Sequence, residues 1–136
     1  MPELRTTLNL AVKGGPVMAL SGVDNFEAYD VIEVQVPPAT TSLVAVLQPA
    51  AADKMNLMLI QSDLYGEEIG YVASDGSADS DDIALYGPHL FNRGMLALFG
   101  HDVLQLKFRN DHPAPAAGQA PRTARVQVLV GRGATA

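Results

Sequence analysis

The chain contains no cysteine and no tryptophan in 136 residues, and aromatic side chains make up only 6% of it. Without cysteine there can be no disulfide framework and no thiolate metal site. Scarce aromatics leave little for the ring platforms on which many sugar-binding and single-strand nucleic-acid surfaces are built. Long apolar runs are missing too. The longest, such as Leu43 to Leu47, have the length of a strand and fall far short of the roughly 20 residues of a membrane helix. The opening Met1-Pro2-Glu3-Leu4-Arg5 lacks the basic stretch and apolar core of a secretory signal, so manufacture in the cytoplasm is expected. A net charge of −6 opposes association with nucleic acid, whose phosphates need clustered Lys and Arg.

What remains is an ordinary globular composition, 48% apolar, at a length that fits one domain with a core of its own. Its apolar residues alternate. Leu4, Thr6, Leu8, Leu10 and Val12 lie on one side of a strand, with Arg5, Thr7, Asn9, Ala11 and Lys13 on the other. Gly14-Gly15-Pro16 ends that strand, Val17 to Leu20 reads as a short second one, and Ser21 to Asn25 as loop. Ile32, Val34 and Val36 alternate with Val31, Glu33 and Gln35 until Pro37-Pro38 stops the ladder. Ser42 to Gln48 is apolar on both faces, which predicts a central strand covered twice. Residues 49–53 read as a connection, with at most one helical turn in Ala50-Ala51-Ala52. Further strands are predicted over Lys54 to Ser62, Ile69 to Ala73, Ile83 to Tyr86, Met95 to Phe99, Val103 to Arg109 and Ala124 to Val130. Gly87 to Gly94 reads as a loop, and Asn110 to Thr123 as a long Pro- and Ala-rich one. Eight to ten short strands with frequent turns predict an all-β chain. The favoured fold is an antiparallel two-sheet sandwich of jelly-roll type with both terminal strands tied into the sheets; a closed barrel is the alternative.

Charge is sorted along the chain. Residues 14–92 hold twelve acids and one base, and residues 93–136 hold six bases and two acids. If that order persisted in space, copies could meet head to tail. Asp75, Asp79, Asp81 and Asp82 crowd into eight residues and supply the oxygens that calcium prefers, although the spacing is not that of a helix-loop-helix calcium site. The same composition also suits a solvated turn. His89, His101 and His112 lack the paired spacing of a metal site. No Gly-x-Ser-x-Gly elbow and no phosphate loop is present, and adjacent Glu67 and Glu68 would point to opposite faces of a strand. An enzyme is therefore not expected.

Two segments invite an interface reading. Leu90 and Phe91 sit with Arg93 in an otherwise turn-like stretch, and either fold into the core or anchor on a neighbour. Pro113, Pro115, Pro121 and Arg122 lie in the long extended segment, which could lie across a neighbouring copy. The leading expectation is a structural subunit that self-associates into a ring, shell or filament. Small jelly rolls often serve that role in phage and virus particles, by analogy of fold only. The alternative is a small-ligand or glycan module using Tyr65, Tyr71, Tyr86 and the acidic loop, with calcium.

Overall fold

A computed structural model describes residues 3–11, 13–25, 28–47 and 55–132. Ten strands follow in order: β1 (Glu3–Ala11), β2 (Val17–Asn25), β3 (Ala28–Val36), β4 (Thr40–Val46), β5 (Met55–Ser62), β6 (Gly66–Ser74), β7 (Ile83–Leu85), β8 (His89–Asn92), β9 (Gln105–Asn110) and β10 (Ala124–Arg132). One helical turn, α1 (Arg93–Leu96), runs into a 3-10 turn at Ala97–Phe99.

Eight of these strands form two four-stranded antiparallel sheets packed face to face, and the sheets do not close into a barrel. The first sheet has the order β3-β10-β5-β8 and the second β4-β9-β6-β7. Four of the pairs, β3 with β10, β4 with β9, β5 with β8 and β6 with β7, are the rungs of one long ribbon folded on itself and rolled. That is the jelly-roll winding. The alternating residues of both inner faces make the core. Val126, Val128 and Val130 of β10 and Met58 and Ile60 of β5 meet Leu106 and Phe108 of β9 and Ile69 and Tyr71 of β6.

The remaining pair stands apart. β1 pairs only with β2, from Glu3 opposite Asn25 to Ala11 opposite Val17, as a two-stranded ribbon. Its turn uses Gly14 at φ +75°, a left-handed conformation that glycine adopts without strain. The expected tie of both termini into the sheets therefore holds for β10 and not for β1. The predicted loop at Ser21 to Asn25 is also strand, because a partner lies opposite every residue of it. Local turn preferences yield to such pairing.

Three other expectations change. β4 is an edge strand rather than a central one, and its outer valines, Val44 and Val46, are exposed. Met95 to Phe99 is helical rather than extended. The Asn92 side chain accepts the Met95 N–H at 2.9 Å, which caps the turn, and Gly100 at φ +75° ends it. A five-residue apolar run carries no period that could have decided between the two. Gly87 to Gly94 contains β8, held against β5. The predicted connection at 49–53, with its helical turn, lies outside the described residues.

The sorted charges are not sorted in space. Lys107 pairs with Asp79, Arg109 with Asp82 and Asp111, Arg125 with Glu33, and Arg132 with Asp30. The sandwich brings the basic end of the chain onto its acidic middle, so a dipole between two halves does not form from these groups.

Candidate interaction surface

The acidic loop is organised by its own backbone and by two cations. Asp75 Oδ1 accepts the N–H groups of Ser77 at 2.7 Å and Ala78 at 2.6 Å. Those bonds, Ala78 first, hold its carboxyl below the usual range. Asp79 is lowered by Ser74 and then by Lys107, whose Nζ lies 3.0 Å from Oδ2. Asp82 takes Arg109 as a fork, with Nε and Nη2 each 2.8 Å from a carboxylate oxygen. The guanidinium reaches it by lying over Gly70, where a Cβ would come within 2.6 Å of Nη2. Asp81 is exposed. The four carboxylates thus turn to separate partners or to solvent. Among the described residues no group of three or more His, Asp or Glu side chains is gathered as a metal site.

Tyr65, Tyr71 and Tyr86 do not stand side by side on one exposed face. Tyr71 is fully buried on an inner face, Tyr86 is exposed, and the Tyr65 hydroxyl accepts the Ser62 N–H at 3.0 Å. A file of rings instead leads outward from the core: Phe108, Tyr71, His89, Phe91, Phe99 and His101, neighbours 5.2 to 6.4 Å apart. Phe91 thus belongs to the core side of β8.

The Tyr71 hydroxyl and His89 Nδ1 share a hydrogen bond of 2.8 Å. Burial raises the Tyr71 pKa above its ordinary 10.0 and draws that of His89 below 6.5. With the folded value below the unfolded one, the unfolded chain binds this proton more readily. The contribution of His89 to stability is then full above 6.5 and is lost as pH falls through the folded value. Urea titrations at about pH 7.5 and about pH 5 check this. The native chain is expected to lose more stability between them than a His89→Gln variant, and equal losses contradict it.

The surface that remains without a partner is apolar. On the ribbon, every described side chain is exposed except half-buried Thr6. Leu8, Leu10 and Met18 share one face, since Leu10 lies opposite Met18 and Leu8 is two residues along. They are 44%, 56% and 68% exposed, and Val17 on the other face is 71% exposed. A second apolar group lies on the outer face of the β3-β10-β5-β8 sheet. Val31 pairs with Leu129, Leu129 with Leu59, and Leu59 with Leu90, so one row crosses all four strands. Val31 and Leu90 at its ends are 62% and 38% exposed, and Tyr29 adds to it beside Val31. Beyond the row the face turns polar. Gln61 Nε2 donates to Gln127 Oε1 at 3.0 Å, and both line an open depression of about 260 Å³ with Ser62, Asp63 and Arg125.

Leu90 therefore belongs to an exposed apolar row, while Arg93 is exposed at the start of α1. Pro113, Pro115, Pro121 and Arg122 are exposed on the long loop, whose ends are pinned. The Asn110 side chain donates to the Arg122 carbonyl and accepts the His112 N–H, and the Ala39 N–H donates to the His112 carbonyl at 2.9 Å. Apart from Leu90, the residues of the ribbon and the row were not among those expected to make an interface. Their signal was legible as a fault in alternation: Val31 shares a face with Glu33 and Gln35, and Leu129 with Arg125 and Gln127. No family model, no curated protein and no solved structure matches this chain.

Proposed function

We propose that this protein is a structural subunit that self-associates into a ring, shell or filament, as a component of a particle. The observation that supports this reading is the β1–β2 ribbon. A lone two-stranded ribbon is marginally stable in water, because it has no layer against which to bury a face. This one carries four large apolar side chains that its own chain leaves exposed. A soluble monomer has little use for such an extension, and a subunit that seats it on a neighbour does. Ion pairs are not its basis, since the bases that would steer the encounter are largely engaged within the fold.

Light scattering behind a sizing column tests the reading. A multimer is expected at low salt and again at high salt, because apolar burial is not screened as exposed charges are. A monomer in both buffers at micromolar concentration would set the assembly role aside.

A further inference from the structure

We infer that β8 and the helical turn after it form a flap, residues 87–100, that acid releases from the open edge of the sandwich. Seventeen residues in a row, from Tyr86 to Asp102, include a strand and a helical turn, yet none of them is buried. Phe91, Leu96 and Phe99 only half enter the core. β8 is an edge strand, laddered to β5 alone from His89 to Asn92. Few buried contacts and one short ladder make a segment that opens before the rest of a fold does. Side chains latch it at two points. Tyr71 and His89 join across the two sheets at 2.8 Å, and His101 Nε2 meets the Ala73 carbonyl at 3.0 Å. Both latches are histidines. Among the described residues no other side-chain hydrogen bond ties residues 86–102 to the rest of the chain, since that of Asn92 is local.

The two histidines answer acid differently. His89 lies opposite Ile60 and against the edge of the Tyr71 ring, on the inner face. Whichever group donates in the Tyr71–His89 bond, a second proton makes the imidazole a cation there. Among the described residues no carboxylate faces it. β5 and β7 carry no charged residue, and Glu67 and Glu68 stand exposed at the start of β6. Lys107 and Arg109 of β9 turn outward to Asp79 and Asp82, while Asp81 and Arg93 are exposed. A half-buried cation without a partner is costly, and swinging the ring into water removes the cost. His101 is placed otherwise. A carbonyl only accepts, so Nε2 holds the proton of the Ala73 bond, and a second proton on Nδ1 leaves that bond in place. Carboxylates also stand near it. Asp75, lowered first by the Ala78 N–H, and Asp79, lowered first by Ser74, are each lowered further by His101. Acid therefore frees the His89 end and keeps the His101 end, with the turn at Gly100 as the hinge. Opening bares the rings of Phe91 and Phe99 and the edge of β5. The flap needs no partner chain and works whether or not copies assemble.

Native-state hydrogen exchange of the full chain tests this, with each rate divided by that of an unstructured peptide at the same pH. At about pH 7.5 the β8 amides are expected to open more often than those of β10 and to ignore low urea, to which the β10 amides respond. Between about pH 7.5 and about pH 5 the protection of the β8 amides is expected to fall about tenfold. His89→Gln keeps a neutral donor and acceptor, and its β8 protection is expected to stay level over that range. His101→Gln is expected to keep the native fall. If the β8 amides of the native chain share the protection and urea response of β10, there is no separate flap, a result that needs no variant. If His89→Gln loses protection with acid as the native chain does, His89 is not the latch that acid releases. A level response in His101→Gln would put the switch at the other end.

Discussion

Replacing Asn110 with leucine is expected to cost about 3–4 kcal/mol of folding stability, a loss that follows from backbone groups left without partners. Asn110 ends β9 and is fully buried. Its amide nitrogen donates to the Val36 carbonyl at 3.0 Å and to the Arg122 carbonyl at 2.7 Å, and its Oδ1 accepts the His112 N–H at 3.0 Å. One side chain thus fastens the end of β3 and both ends of the long loop to the edge of the core. Leucine fills the volume and answers none of these groups. The Arg122 carbonyl lies nearer the surface and can hydrate, whereas the Val36 carbonyl and the His112 N–H are more deeply enclosed, and each unmet group costs about 1–3 kcal/mol. Urea unfolding at constant slope reads the loss as a lower midpoint. Asn110→Asp is expected to fail almost as badly, since a carboxylate cannot donate to two carbonyls. A loss under about 1 kcal/mol for the leucine variant would mean that water takes over the clamp.

Phe108→Ala is expected to cost about 3–5 kcal/mol, through a cavity rather than through lost hydrogen bonds. Phe108 is fully buried two residues before Asn110, on the same inner face of β9. Its ring lies 6.3 Å from that of Tyr71 and occupies the middle of the space between the sheets. β9 is held by ladders to β4 and β6 on either side, so its backbone cannot sink to close the gap. Phe108→Leu keeps much of the volume and should cost well under half as much, about 1–1.5 kcal/mol. Thermal and urea unfolding together check the ordering, and equal losses for the two variants would point to the ring's edge contacts instead of its volume.

The sandwich was legible in the sequence because its strands obey a rule of period two that burial enforces. Val126, Val128 and Val130 face inward where alternation put them, and Gly, Pro and Asp marked most turns. Short elements were not legible. Met95 to Phe99 is decided by one capping bond from Asn92, and β8 by a partner in β5 far along the chain. The exposed apolar row was half legible. Leu90 was singled out for its oddity, but its neighbours in the row, Val31, Leu59 and Leu129, come from three other strands, and only the register aligns them. The charge pattern misled for the same reason. Asp82 and Arg109 are far apart in sequence and form a fork in the fold.

The rolled strand order also sets when the chain can fold during synthesis. β10 is the final strand of the sandwich to leave the ribosome, yet it stands between β3 and β5 at the centre of its sheet. Until residues 124–132 emerge, β3 and β5 have no strand between them and both present bare edges. The nascent chain therefore has its exposed apolar β1–β2 ribbon and two open edges in hand before it has a core. Polysomes carrying neighbouring copies are the setting in which those edges meet the wrong partner, and the speed with which the closing strand arrives guards against it.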